Sequence, residues 1–596
     1  MIAQVLPLRT LPRGLDYFTY SVPESLQKSI LPGQCVKIPF RSQTLLGLVQ
    51  QLENKVGKDL KPVLEIVNQT PLLGSDYLTF LEKMAKFYGV SAASVIKSAL
   101  PPLQPNKIET EEIENWLTKP SAKQTDLKTT GPTEYSWYHS REEQKAAYAR
   151  YEMERLIIIV PQKSDLVKVF AALSQKRQAE TVLWSSNLSV KEERDLWFKI
   201  RNGQIKTLIA TRGALWLPLH QSFDRIIIEF EQDQNHKHWD HSPRFTTKDL
   251  AKMQVRNFNL AYSEMSYSPS VTSYYFIQEK KYPLTNVSSV NLPSPQLIFP
   301  DNNFERAPLF SPTISAIHDA LEAGLQPDIV LLFNLTTPAK QGICRNCSAL
   351  IDTPLPEFCP KCGDARLKVL GQTITSVAKW LTKEFPNTEI ITVNKITDHI
   401  PSSGTARIII GTRALLGMID WSKISLAAIL DFTRQAMFAE YLTHEDLRHL
   451  IRQFQFWLPS GSPLLIQSDT TEHILLTTIQ NDKAWYESEL TNRANLGYPP
   501  YSYLVRYLIP GITEEVALQA AKKAMSDLQA RLTKTPKNII IQGPLPASAK
   551  NQGKCWAVVM VKIQESDILS ATTWCHESFS ATTKIDPNPI SLTSPH

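Results

Sequence analysis

Glycine is scarce in this chain, with 21 among 596 residues, about half of the roughly 7% share usual in globular proteins. Loops that wrap phosphates are built from glycine, because a residue without a side chain lets successive backbone amides close round an anion. The shortage argues against a nucleotide-driven motor, and no G-x-x-x-x-G-K-[ST] phrase occurs anywhere in the sequence. Cysteine is sparse as well, at seven residues, too few for a disulfide framework in so long a chain. No apolar run approaches the roughly 18 residues that a membrane span needs. The opening residues, MIAQVLPLRTLPRG, lack the apolar core of a signal peptide, so a cytoplasmic protein without membrane contact is expected. A strong charge of one sign is also missing: a net charge of +6 permits a local nucleic-acid patch without requiring one.

What is present describes a multidomain α/β protein. A length of 596 residues exceeds one hydrophobic core, and 42% hydrophobic with 20% charged residues is ordinary for a folded chain. Residues 1–104 read as short strands punctuated by proline and glycine, a small β-barrel-like domain with a helix over 74–88. They carry 11 basic against 7 acidic side chains. Residues 105–130 are polar and aperiodic, which predicts a linker. From 131 to 285, RLIIIVP, TVLWSS, KTLIAT and RIIIEF alternate with amphipathic helical stretches. A second round, from 286 to 480, contains DIVLLFN, TEIITVN, ARIIIGT, SLAAILD and PLLIQS. That alternation predicts two parallel-sheet lobes in tandem. Residues 481–596 begin helical, break at GYPPY and end in a mixed α/β unit.

The sharpest local signal is CRNCSALIDTPLPEFCPKCG, where Cys344, Cys347, Cys359 and Cys362 form two Cys-x-x-Cys knuckles. Four thiolates fill a tetrahedral shell, so the spacing predicts one structural zinc ion with no open position. Cys35, Cys555 and Cys575 stand apart and read as ordinary thiols. Two further phrases echo each other, IATRGALWLP and IIGTRALLGM. Each sets a Thr-Arg pair, Thr211 with Arg212 and Thr412 with Arg413, just past a buried strand, where a hydroxyl, amides and a guanidinium can hold phosphates without reading bases.

Together with that cysteine module, LDYFTYSVP, GQCVKIPF, LIATRGALWLP, HSPRFTTKDLA, IIIGTRALLG, LGYPPY, GPLPA and IDPNP resemble the successive landmarks of the PriA (primosomal protein N′) family of replication-restart helicases. The resemblance covers nearly the whole chain in family order. It implies an N-terminal domain that binds the 3′ end of a nascent strand (1–104), two RecA-like lobes of superfamily 2 (131–285 and 286–480), a zinc insertion at 344–362 in the second lobe, and a C-terminal domain (481–596). Forked or single-stranded DNA is the implied ligand. Primosome proteins such as the replicative helicase loader and single-strand binding protein are the implied partners, and the chain is expected to act as a monomer. By the same resemblance, Asp16 and Tyr17 match the residues that hold the terminal nucleotide. Arg41 stands where the family has the glycine of PFG, and Thr211, Arg212, Thr412 and Arg413 lie on the DNA side of the lobes.

The departures from the family fall on nucleotide chemistry. Where it has GVTGSGKTE, this chain reads TTGPTEYSWY, which keeps Gly131 and Thr133 but has no lysine and gains Pro132, a residue without an N–H to give. The family's DEEH matches Glu229, Phe230, Glu231 and Gln232, so phenylalanine takes the place of the acid that orients the attacking water. The family's QVAGRAGR matches RQFQFWLPSG, with no arginine in that stretch past Arg452. Loss of these parts together predicts a DNA-binding restart protein without ATP hydrolysis, with no catalytic residue and no bound ATP or Mg²⁺. Two alternatives stay open: an active ATP-dependent 3′ to 5′ helicase with an unconventional nucleotide site, and a zinc-stapled protein adaptor that does not bind DNA. The winged-helix domain usual in the family has no room in 105–130.

Overall fold

Isoleucine-rich runs become fully buried strands when helices cover both faces of a sheet, and this chain builds two such sheets. In the computed structural model the described residues are 1–8, 17–55, 59–102, 117, 133–185, 188–286, 292–300, 308–323, 327–334, 341–344, 346–347, 349–352, 356–365, 367–369, 373–395, 400, 405–438, 440–547 and 553–592. The chain divides into two compact units, Met1–Ser288 with Glu489–His596, and Ser289–Ser488.

The first unit holds a seven-stranded sheet in the order Leu284–Asn286, Glu134–Trp137, Ala261–Ser266, Arg225–Glu229, Leu156–Val160, Thr207–Thr211, Thr181–Trp184. Every neighbouring pair is parallel. The four isoleucine- and valine-rich strands lie where expected. Glu134–Trp137 and Ala261–Ser266 were not foreseen, because EYSW and AYSEMS are short and broken by serine and glutamate.

The N-terminal sheet is antiparallel, in the order Phe18–Ser21, Ile2–Pro7, Gln43–Glu53, Cys35–Phe40, Glu65–Ile66. Ser21 N donates to Lys61 O (3.0 Å) and Val63 N to Ser21 O (2.9 Å), drawing the edges round toward the expected barrel. Its helix runs Ser75–Tyr88 and is followed by a second, Ala92–Ala99. Both pack into the core of the first lobe with Trp197, Trp216 and Phe245. Tyr77 Oη donates to Trp216 O and Leu217 O at 2.9 and 2.7 Å, and Trp197 Nε1 to Ala99 O at 2.9 Å. The predicted linker at 105–130 lies outside the described residues except for Leu117. At the C-terminal end, Ile539–Pro546, Cys555–Ile563, Tyr503–Gly511 and Lys584–Pro587 form an antiparallel sheet backed by the helix Glu514–Lys534.

The second unit repeats the parallel design with six strands: Gln296–Ile298, Leu464–Gln467, Ile424–Ile429, Asp328–Leu332, Arg407–Gly411, Glu389–Val393. Asp328 and Arg407 face each other across buried strand starts in a two-pronged ion pair, at 2.6 and 2.7 Å. A three-stranded antiparallel sheet, Leu350–Asp352, Gln341–Cys344, Leu367–Val369, carries the cysteine knuckles. Two tandem RecA-like lobes, a β-rich N-terminal domain, a cysteine module inserted in the second lobe and a C-terminal α/β domain are thus the architecture.

Candidate nucleotide, metal and nucleic-acid sites

In a RecA-like lobe the phosphate cradle joins the C-terminal end of one strand to the next helix. Here that strand is Glu134–Trp137 and the helix is Arg141–Ala149, so the connection is the three residues Tyr138, His139 and Ser140. This relocates the degenerate cradle: Thr133 precedes the strand, and Gly131, also assigned to the cradle from the sequence, lies outside the described residues. The family resemblance matches a threonine ahead of the strand instead of the turn after it.

The turn is closed by its own side chains. Ser140 caps the helix by accepting from Glu143 N (3.2 Å), and the Glu143 carboxylate accepts from His139 N (2.7 Å). A carboxylate thus sits on an amide of the helix N-terminus, the place that would otherwise attract an anion.

Next to it, the strand Arg225–Glu229 ends on a fully buried glutamate. Tyr138 Oη and Tyr148 Oη both donate to the Glu229 carboxylate, and Gln144 Nε2 donates to it at 2.9 Å. Burial raises the pKa of Glu229, opposed by the three donors. The carboxylate that aligns with a magnesium ligand is therefore already engaged with protein donors. Phe230 follows at φ 51°, buried, with its ring 5.6 Å from that of Tyr267. Glu231 is also buried and accepts from Tyr135 Oη (2.9 Å), Ser270 N (2.7 Å) and Lys248 Nζ (2.6 Å), which ties it to the start of the helix Val271–Gln278. Gln232 Oε1 accepts from Ser266 Oγ.

Sequence reading missed Tyr138, Glu143, Gln144 and Tyr148. One signal was available: Gln144 and Tyr148 are spaced i, i+4 and so share a helix face, and both are buried.

In the second lobe, the helix Thr443–Trp457 carries the stretch matched to the family's arginine motif. Arg452 is buried and donates to Asp482 (2.8 Å), Gln455 (2.8 Å) and Ile479 O (3.1 Å). Arg448 shares Asp482 with it. Both guanidiniums are thus held inside the lobe.

The four cysteines converge. Cys344 Sγ lies 3.5 Å from Cys362 Sγ, and Cys347 Sγ 3.6 Å from Cys359 Sγ. Tetrahedral zinc, with Zn–S of about 2.3 Å, sets sulfurs about 3.8 Å apart. Lys361 N and Asn346 Nδ2 donate to Cys359 Sγ and Cys362 Sγ at 3.4 and 3.7 Å, the hydrogen bonds that thiolates accept in such knuckles. The group can hold one metal ion.

The candidate DNA contacts differ in availability. Arg212 begins a short 3₁₀ turn after Thr211 and donates to Asn235 O (3.0 Å). Arg413 is paired with Asp446, while its backbone N donates to Asn334 Oδ1 (3.1 Å). Thr412 Oγ1 caps the same turn, accepting from Ala414 N at 3.3 Å. In the N-terminal domain, Tyr17 Oη donates to Glu82 (2.8 Å), which also accepts from Gln50 Nε2 (2.6 Å). Phe18 and Phe40 meet edge-on at 5.2 Å, so Tyr17 and Arg41 flank one aromatic pair. Arg41 has φ 54°, the left-handed conformation that suits the family's glycine. Asp16 lies outside the described residues.

Residues 6–101 match the family model of the PriA 3′ DNA-binding domain (3′BD). The replication restart protein PriA of Chlamydia muridarum is 25% identical over 429 residues, 63% of this chain and 56% of that protein. PriA of Helicobacter pylori strain J99 is 24% identical over 581 residues, 89% of this chain and 90% of that protein. The chain thus spans little more than half the length of the chlamydial relative and about nine tenths of the other. Among solved structures, RecG bound to a three-way DNA junction is 12% identical, with a TM-score of 0.35, over 70% of this chain and 53% of that one, too slight a likeness to add to the topology. With a 3′ DNA-binding domain model matched at one end and PriA proteins aligned along most of its length, this chain is similar to the PriA family.

Proposed function

We propose that this chain is a DNA-structure-binding protein of replication restart and primosome assembly that has given up ATP hydrolysis. It binds forked or single-stranded DNA through its N-terminal domain and the strand-end turns at Arg212 and Arg413. It serves as a platform for primosome proteins such as the helicase loader and single-strand binding protein. The four cysteines hold one structural zinc ion. The observation that carries the reading is the closed cradle, where Glu143 sits on the amide of His139 and the Glu229 carboxylate is engaged by Tyr138, Gln144 and Tyr148. A triphosphate would have to displace a carboxylate from the helix end, and would meet no lysine and no glycine in the turn.

Affinity for DNA comes from phosphate contacts, so the logarithm of the binding constant falls linearly with the logarithm of salt concentration. One sample tests both halves: ATP turnover with forked DNA present, and anisotropy of a labelled fork across a salt series. Binding with a steep salt slope and no turnover is the expected result. Turnover of about 1 s⁻¹ or above, ordinary for such motors, overturns the loss of hydrolysis. Absence of any salt-dependent fork binding overturns the DNA-binding half in favour of a protein adaptor.

A further inference from the structure

We propose that the loop after the strand Arg225–Glu229 holds a second metal site, separate from the four cysteines. It takes one divalent ion of the borderline transition class through His238 Nε2, the Asp240 carboxylate and His241 Nδ1. The three ligand atoms all lie within 4.8 Å of one another. Asp240 Oδ2 accepts from His241 Nδ1 at 2.9 Å, a hydrogen that the ion replaces as His241 shifts to its Nε2–H tautomer, and Asp240 Oδ1 is 3.8 Å from His238 Nε2. Ligands on one ion, each at about 2.0–2.2 Å, stand roughly 3–3.5 Å apart, so small side-chain rotations bring all three onto a common centre.

The tautomer of His238 is fixed by its surroundings. Its Nδ1 is 2.8 Å from Pro243 O. A carbonyl only accepts, so Nδ1 carries the hydrogen and Nε2 keeps its lone pair. Metal-binding histidines are oriented by this kind of outer hydrogen bond. The ring is seated 5.1 Å from Phe245 and stacks on His241 at 5.8 Å with 14° between planes. The loop is tied at its base: His238 N donates to Phe245 O (2.8 Å), and Lys237 bridges Thr246.

Two imidazoles and one carboxylate select zinc, cobalt, nickel or copper over magnesium or calcium. Three protein ligands leave open positions, unlike the closed cysteine set. Arg212 lies within electrostatic reach of both His238 and Asp240, so an ion here adds positive charge beside a candidate phosphate contact.

The test uses the full chain dialysed to equilibrium against buffered Zn²⁺, with bound zinc counted by mass spectrometry. Wild type is expected to hold two ions, and His241→Ala and Asp240→Asn one each. Cys347→Ser should also lose one ion, from the other site. Both substituted loop residues are exposed, and circular dichroism checks that the variants fold. Loading with Co²⁺ separates the sites: the thiolate charge-transfer band persists in His241→Ala, while the component without sulfur disappears. One zinc ion in wild type, or two retained in His241→Ala, overturns the proposal.

Discussion

Arg41 concentrates two opposed effects in one residue. Its φ of 54° places a β-carbon in the left-handed region, which costs about 1–2 kcal/mol for most residues. Glycine there would remove the strain but add unfolded-state freedom worth roughly 0.5–1 kcal/mol. The two terms nearly cancel, so Arg41→Gly should change unfolding free energy by no more than about 1 kcal/mol, read by urea titration. If the guanidinium grips a phosphate beside the Phe18–Phe40 pair, the same substitution weakens fork binding and makes the salt slope shallower by about one unit. An unchanged slope would assign Arg41 to the turn alone. Phe230 is the second telling residue. It also takes positive φ, at 51°, and its ring is buried. A side chain without a titrating group stands where the family resemblance places the water-orienting acid.

At the scale of elements, the helix Arg141–Ala149 closes the cradle. Ser140→Ala removes the cap that accepts from Glu143 N and should lower stability by about 1 kcal/mol in urea unfolding. Binding of a fluorescent ATP analogue should stay undetectable in that variant, because Tyr138, Gln144 and Tyr148 still engage Glu229. Measurable nucleotide binding would show that the cap alone had kept the pocket shut. The element scale also separates what the sequence displayed from what it hid. Buried parallel strands such as Arg225–Glu229 and Arg407–Gly411 are continuous apolar runs with turn signals, and their ends brought Glu229, Thr211 and Thr412 into view. Cys344 to Cys362 was legible because chelation fixes spacing locally. Glu134–Trp137 was hidden, since a short strand with serine and glutamate in it has no distinctive period, and without that strand Thr133 was matched to the cradle although it precedes the strand. The donors to Glu229 were hidden for a different reason: Tyr138, Gln144 and Tyr148 reach it only when the sheet brings residues 81 to 91 positions apart into contact.

At the scale of the whole first unit, the C-terminal domain is fastened to the first lobe by buried charge. Asp586 is 1% exposed and meets Lys237 Nζ at 2.8 Å, Arg506 Nη2 at 2.7 Å and Arg244 Nη1 at 3.6 Å. Nearby, Asp249 accepts from Tyr503 Oη and Asn588 Nδ2 at 3.0 and 2.8 Å, and His576 Nε2 lies 2.7 Å from Phe87 O. Removing one partner of such a cluster strands the remaining charges away from water, which typically costs about 3–5 kcal/mol. Asp586→Asn should therefore destabilise the unit by an amount in that range at neutral pH, with near-isosteric shape retained. The pH dependence identifies the cause. Burial pushes the Asp586 pKa up, but the three cations outweigh it and hold the carboxyl below its ordinary 3.8. A depressed carboxyl stabilises the fold above its unfolded pKa, and that contribution is lost as pH falls through the lower folded value. The gap between wild type and Asp586→Asn should hence be constant from neutral pH to about pH 5 and close on further acidification, below roughly pH 4. Urea midpoints across that range measure it. A gap that persists unchanged into acid would trace the loss to packing of the amide instead of to charge.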